Sequence, residues 1–379
     1  MILRRLEQTE HGKTRKLWEE VFTEDTREFL DYYYFVKARD NHIFVIEEDD
    51  GIRAMLQLNP YELHMGKRTV PSYYIIAVAT QRPYRGRGYM GALLRECMQE
   101  MYGKKVPFTF LMPAAEAIYT PYDFRFVYSQ AQGEMKPDSG LQICQTGEAE
   151  VSEALLWEAE QMADFFNRNF AGEWQIYAER SSEYYRTMIL EQQSERGGVR
   201  LIKDKGNITG MFAYAGEDGL EIREPLYLPA YEWKFAEAVR ELQGDPGRPV
   251  KIYASPAAFC TGFRPLIMAR IICLSEFLAG FTSSPDQTVD CSFAVIDPLI
   301  KKNSRVWKLQ SSPGEEEIHV SETEDSEGVF PVAELTEYLF GRTPLEEIKT
   351  RPGVILTERL ERELEKITKF DRVFLNEVV

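Results

Sequence analysis

The sequence predicts an α+β fold of three units, the second repeating the plan of the first. Three observations carry this. Some segments place apolar residues at helical spacing, and others hold short apolar runs bounded by turn residues. The order helix, three strands, helix, strand occurs twice in succession. One strand-to-helix junction, within residues 73–91, is rich in glycine and arginine and breaks the otherwise ordinary pattern. With 379 residues, 44% of them hydrophobic and 12% aromatic, the chain has the length and apolar content for two or three cores.

The first unit is expected over 1–145. Helices are predicted at 12–22 and 26–36, followed by strands at 42–48, 52–61 and 69–80. A helix then starts at Tyr89, where Tyr89, Met90, Leu93, Leu94, Cys97, Met98 and Met101 form one face. Strands follow at 108–113 and 126–135, and Pro137-Asp138-Ser139-Gly140 is turn chemistry near the boundary. The second unit, 146–265, opens with a predicted helix at 151–170 carrying Leu155, Leu156, Ala159, Met162, Ala163 and Phe166 on one face. Strands at 199–203, 208–214 and 220–227, a helix at 231–242 and a strand at 250–254 complete it. The third unit, 266–379, reads as a strand (267–273), a short helix (274–281), three strands (289–296, 305–310, 318–321) and helices at 331–340 and 356–367. Gly341 stops the first of these helices and Pro352-Gly353 separates the two. The acidic run 315–327 has no Lys or Arg and reads as a solvated hairpin. The last ten residues are largely apolar, so burial is expected for them.

The chemistry lies at the Arg85-Gly86-Arg87-Gly88 turn. Glycines let backbone N–H groups approach an anion, and the start of a helix adds partial positive charge. Arg85 and Arg87 add full charges. The turn is therefore a device for a phosphate or pyrophosphate. Gly86, Gly88 and Gly91 spell G-x-G-x-x-G, the dinucleotide fingerprint. That reading wants the turn after the first strand and an acid about 20 residues on. Here three strands precede the turn, and the next strand ends without an acid.

The same residues suit another family better. Arg85-Gly86-Arg87-Gly88-Tyr89-Met90, after a helical stretch and a three-strand meander, resembles the acyl-CoA signature of GNAT acetyltransferases, Arg/Gln-x-x-Gly-x-Gly/Ala. Met90 departs from the sixth position, with Gly91 just behind it. A second stretch, Ile118-Tyr119-x-x-Tyr122-Asp123-Phe124, resembles Ile-Tyr-x-x-Phe-Gly-Tyr/Phe of the Eis-type (enhanced intracellular survival) enzymes. Asp123 stands in place of Gly, and Asp is among the few residues that tolerate positive φ. The resemblance implies two tandem GNAT-like domains, the second degenerate, and a C-terminal domain like sterol carrier protein 2. The second junction, Tyr227-Leu228-Pro229-Ala230-Tyr231, has neither glycine nor arginine, so it cannot cradle a pyrophosphate in the same way.

The resemblance further implies acetyl-CoA as co-substrate and an amine acceptor, an aminoglycoside-like polyamine or a lysine or peptide amine. Pyrophosphate contacts fall to residues 86–91, flanked by Arg85. Val78, Ala79 and Thr80 match the positions that take the pantetheine arm, with a backbone N–H near Val78 for the oxyanion. Tyr119 matches the general acid, and the α-carboxylate of Val379 the general base, with Glu377 and Glu116 as the other carboxylates at hand. A homo-oligomer, trimer or hexamer, is implied as well.

Composition narrows the remaining classes. The net charge of −16 argues against a nucleic-acid surface and favours cationic substrates. No apolar run reaches the length of a membrane span, and the N-terminus lacks a signal sequence's hydrophobic region. Cys97, Cys144, Cys260, Cys273 and Cys291 are scattered and read as buried thiols of a cytoplasmic protein. The histidines, His11, His42, His64 and His319, have no ligand spacing, so no metal is expected. A lipid- or sterol-binding protein, working through the third unit with an inert first unit, is the competing class.

Overall fold

The computed structural model describes residues 1–135, 148–216, 219–245 and 247–377. The Pro137–Gly140 turn and Cys144 lie outside the described residues. In the first unit, β1 (Ile2–Arg5) precedes α1 (Arg15–Val21) and α2 (Arg27–Phe35). Thr26 caps α2 by accepting the Phe29 N–H at 3.2 Å. Strands β2 (His42–Glu48), β3 (Gly51–Met65) and β4 (Arg68–Thr80) form an antiparallel meander. Helix α3 (Tyr89–Gly103) crosses to β5 (Phe108–Leu111), which runs parallel to β4. The short helix α4 (Glu116–Tyr119) and strand β6 (Arg125–Glu134) follow.

The second unit holds β7 (Glu150–Glu153), α5 (Ala159–Asn169), β8 (Ile176–Ala178), α6 (Ser182–Ser194) and the meander β9 (Gly198–Asp204), β10 (Asn207–Ala215), β11 (Leu220–Tyr227). Helix α7 (Glu232–Gln243) then crosses to β12 (Val250–Tyr253), parallel to β11. The plan of the first unit recurs, including the crossover and the edge strand before the helices.

The two units share one sheet, in the order β1-β2-β3-β4-β5-β13-β6-β12-β11-β10-β9-β7, where β13 is Cys260–Ile271. The strand expected to open the third unit is thus longer and sits inside the central sheet. It pairs with β5 on one side and β6 on the other, while β6 pairs onward to β12. Each half therefore completes its sheet beside a strand that follows the other half in sequence. Apolar residues on both faces of this strand, including Ile267, Met268, Ala269 and Ile271, are fully buried, as a central strand requires.

The strands Ile2–Arg5, Ile176–Ala178, Gly328–Pro331 and Ile355–Leu356 lie outside the sequence reading, and two further elements depart from it. The helix expected from 151 starts only at Ala159. Residues Glu150–Glu153 instead extend the sheet as β7, with Val151 opposite Ile202. Leu155 and Leu156 are consequently exposed, and the Leu155 N–H is taken by the Glu158 carboxylate at 2.9 Å. Ala159, Met162, Ala163 and Phe166 are buried as expected. Helix α6 has no counterpart in the sequence reading. Only Tyr185, Ile189 and Gln192 of it are buried, a stripe too narrow to stand out.

The third unit carries a separate five-stranded sheet built from Asp290–Ile296, Val306–Gln310, His319–Thr323, Gly328–Pro331 and Ile355–Leu356, with helices Val332–Leu339 and Glu358–Leu364. Its last described residues return to the first two units. Val373–Phe374 pairs in parallel with β8, Phe374 stacks on Trp174 at 4.9 Å, and Leu375 is fully buried.

One buried ion pair fastens the third unit to the first. Arg270 of β13 and Asp297 are both sealed from solvent and meet at 2.6 Å. Asp297 also accepts the N–H groups of Leu299 (3.0 Å) and Ile300 (2.8 Å) and the Asn303 amide (2.9 Å). Arg270 donates its Nε–H to the Tyr122 carbonyl at 2.9 Å. Asp123 Oδ2 stands 3.6 Å from the same guanidinium, so it offsets part of the charge that loss of Asp297 would leave buried. Asp297→Ala is therefore expected to lower unfolding free energy by less than the roughly 3–5 kcal/mol of a buried pair that loses its sole partner, measured by urea denaturation; a change under about 1 kcal/mol contradicts this role.

Candidate active site

Helix α3 starts at the glycine turn. Gly86 and Gly88 have φ of +75° and +79°, and no atom lies within 4 Å of where a Cβ would stand on either. A side chain there meets no neighbour but is strained by its backbone, so the reason for glycine is conformation and an open face. Ala92 donates to the Gly88 carbonyl at 3.0 Å, the first N–H of the helix to do so. The preceding N–H groups belong to the turn and first helical turn, which have no carbonyl ahead of them. This is the geometry of an anion cradle. Arg85 and Arg87 are exposed beside it. Arg85 donates to the Thr80 carbonyl at 3.0 Å, and Arg87 donates to that of Pro83 at 3.2 Å and lies 4.6 Å over the Tyr84 ring. Both arginines brace the turn they charge. Tyr89 is buried with its hydroxyl bonded to Glu48, Met90 is half-buried, and a Cβ on Gly91 would stand 2.6 Å from the Tyr122 hydroxyl.

Upstream, β4 carries a bulge. Met55 faces Ala79 and Gln57 faces Ile76, so Ala77 and Val78 together oppose Leu56. Ala77 adopts φ +52°, rare for alanine. The β4–β5 ladder pairs only Tyr74 with Phe110, so Val78, Ala79 and Thr80 run on without a β5 partner. The end of β4 and the glycine turn therefore line one continuous backbone edge. Ala79 is buried, while Val78 and Thr80 are half-buried.

Tyr119 ends α4 and packs edge-on against Phe124 at 5.8 Å. Burial pushes its phenol up to about 12, which keeps the proton on at neutral pH. Asp123 has φ +63°, so the substitution for glycine keeps the turn. Glu116 lies one turn before Tyr119 on the exposed side. Val379 lies outside the described residues.

A cavity of about 660 Å³ opens where the two sheet halves meet, reaching Met112 just past β5 and Asn59–Glu62 on β3. Among the described residues, ten acidic and four basic side chains line it. At its floor the fully buried Arg180 guanidinium reaches Glu224 at 3.2 Å and Glu377 at 3.1 Å. Tyr184 donates to Glu377 at 3.2 Å, and Asn376 to Glu224 at 3.1 Å. Lys37 donates to the Tyr61 hydroxyl at 2.7 Å. Burial raises the pKa of both Glu224 and Glu377, against the pull of Arg180. The sequence reading named Glu377 but missed Arg180 and Glu224. Its one available signal was a charged residue before Pro225 within an apolar strand, a sign of a bulge.

The acetyltransferase (GNAT) domain model matches residues 3–127, and a sterol carrier protein domain model matches residues 274–378. The chain carries a GNAT acetyltransferase domain and a sterol carrier protein domain. No curated protein matches its sequence. Solved structures share its fold over the whole chain. A probable N-acyltransferase from Enterococcus faecalis V583 aligns over 100% of this chain and 99% of its own at 16% identity, with a TM-score of 0.85. A GCN5-related N-acetyltransferase from Anabaena variabilis ATCC 29413 covers 100% of both chains at 17% identity and 0.82. Eis1 from Mycobacterium abscessus covers 100% of both at 14% and 0.72.

The second unit repeats the bulge without the backbone N–H that follows it in the first. Met211 faces Leu226 and Ala213 faces Arg223, so Glu224 and Pro225 oppose Phe212. Glu224 takes φ +48°, as Ala77 takes +52°. Pro225 stands where Val78 does and has no N–H to give. The next junction turns at Pro229 as the first does at Pro83, but runs straight into α7 with no glycines between. The glycine turn and the open N–H edge are thus confined to the first unit among the described residues. Gly88→Val is expected to weaken acetyl-CoA binding more than tenfold by calorimetry, because valine resists positive φ. Unchanged affinity in a folded variant contradicts the cradle.

Proposed function

We propose that this protein is an acetyl-CoA-dependent N-acetyltransferase of the Eis type acting on cationic amines. One observation carries the reading. An anion-binding turn follows an unpartnered backbone edge at the end of β4, and a strongly acidic cavity, which reaches Asn59–Glu62 of β3 and Met112 after β5, opens where the two sheet halves meet. The N–H groups of 86–91 hold the pyrophosphate, and the edge 78–80 takes the pantetheine arm. The acceptor amine attacks the thioester carbonyl, and the Val78 N–H donates to the oxygen as charge builds. The C–S bond then breaks, and the Tyr119 hydroxyl gives its proton to the thiolate.

The amine must lose a proton to a carboxylate. The α-carboxylate of Val379 takes this role in the reading from resemblance. Glu377 is a second choice favoured by its place in the cavity wall, where burial raises its pKa toward that of a useful base. The sterol carrier protein domain then serves to bring this end of the chain into the first two units, rather than to carry lipid. A homo-oligomer, trimer or hexamer, is proposed with it.

Tyr119→Phe is expected to lower kcat by about 10²-fold with acetyl-CoA affinity unchanged, read from released thiol and calorimetry. Equal kcat removes Tyr119 from the mechanism. The two carboxylates separate experimentally. If Glu377 is the base, kcat/KM falls as pH drops through its raised pKa, and Glu377→Gln abolishes that limb. If the Val379 α-carboxylate is the base, a C-terminal extension costs at least about tenfold in kcat and Glu377→Gln leaves the limb in place. Light scattering that gives a 43.9 kDa particle contradicts the oligomer.

A further inference from the structure

The second unit keeps the backbone device of the first and puts a carboxylate on it. In β4 the bulge is Ala77-Val78; in β11 the same two-against-one register holds Glu224-Pro225. Both first residues sit at positive φ. Such a conformation costs a glutamate about 1–2 kcal/mol, so the surrounding structure must fix it. The bulge turns Glu224 toward the acidic cavity, and Glu224 also lines a second cavity of about 500 Å³ bounded by 224–227 and 254–257. It forms the wall between the two.

Glu224 is 6% exposed. Its Oε2 accepts from Arg180 and Asn376, but its Oε1 has no partner among the described residues. Glu377, 4% exposed, likewise leaves Oε2 without one. One guanidinium thus faces two carboxylates, and Arg180 alone does not neutralise both. Tyr61, Tyr128, Tyr184, Tyr185, Lys37 and Glu191 are titratable groups around them, and of these only Lys37 is a cation, already bonded to Tyr61. Arg180 Nε and Nη1 are without a hydrogen-bond partner among the described residues as well, so the cluster is not closed within itself, and Glu224, which lines the cavity, keeps acceptor capacity for a donor that comes from outside.

We propose that Glu224 is an acceptor-binding residue that anchors a second ammonium group of a di- or polycationic amine. This deepens the reading above and rests on it. The chemistry requires the division of labour. The reacting amine gives up its proton before it attacks, so a charge that persists on the bound acceptor through the reaction has to reside on another nitrogen. Glu224 comes from the second unit, away from the Val78 edge of the first, and it can hold that other nitrogen without protonating the nucleophile. The degenerate half thereby supplies substrate recognition where its counterpart supplies the acyl donor site.

The test uses the full chain with spermidine and the monocation butylamine as probes. Calorimetry without acetyl-CoA measures binding to the wild type and to Glu224→Gln. The expected result is at least tenfold weaker spermidine binding in the variant, with butylamine changed less than threefold and acetyl-CoA affinity unchanged as the check of folding. In turnover assays KM for spermidine rises at least tenfold while kcat stays within about threefold, a split that general distortion of the fold does not produce. Glu224→Asn, whose side chain suits positive φ, replaces the glutamine variant should that one not fold. Spermidine bound equally well by the folded variant overturns the anchor, as does a wild type that acetylates butylamine but does not bind spermidine. A wild type that acetylates no amine overturns the enzymatic reading, and with it the anchor's purpose.

Discussion

The Arg270–Asp297 pair is the constraint on which the rest of the structure depends. Arg270 lies on β13, which together with β6 joins the two sheet halves and leads into the third unit. Its Nε–H fixes the Tyr122 carbonyl, and Tyr122 in turn sits over Gly91 at the start of α3. Asp297 gathers the loop of the third unit around the same guanidinium. A charge buried so deeply is tolerated only with this full set of partners. It therefore makes the position of Tyr119, three residues before Tyr122, sensitive to how the third unit docks.

The fold is a duplication whose halves have exchanged strands. β6 leaves the first half to pair with β12, and β13 returns from the second half to pair with β5. The exchange brings the two sheet halves side by side, and Glu224 of the β11 bulge lines the cavity between them. Identical backbone geometry then serves two ends: one half offers an N–H edge and a glycine turn, and the other offers a carboxylate. The proline at position 225 and the loss of the glycines remove donor chemistry from the second half without altering its sheet.

Electrostatics links the halves. The net charge of −16 gives a general attraction for cations, but a surface charge is screened within about 8–10 Å at physiological ionic strength. The cavity concentrates acidic groups where screening is weaker, and burial raises the pKa of Glu224, Glu377 and Glu191. A cation entering there offsets the cost of holding these carboxylates ionised. Tyr119 belongs to the apolar cluster with Phe124, Leu111 and Met268, on the helix α3 side, where a neutral phenol is the stable form.

Local sequence determined the glycine- and arginine-rich turn, the α3 face, the three-strand meanders and the duplicated plan. Each depends on side chains adjacent in the chain: glycines where φ is positive, apolar residues at spacing 3.6 or 2, and caps such as Thr26. The same local logic allowed Asp123 to stand for glycine. Only the tertiary structure decided where β13 lies, because a strand with both faces buried carries no mark of its neighbours. It also decided that Glu150–Glu153 is a strand, since pairing with β9 outweighs a helical pattern that begins in earnest only at Ala159. The cluster of Arg180, Glu224 and Glu377 lay beyond the sequence for the same reason. Its members are separated by 44 and 197 residues from the arginine, and nothing local tells a buried charge from a solvated one until the partners that make burial tolerable are brought together.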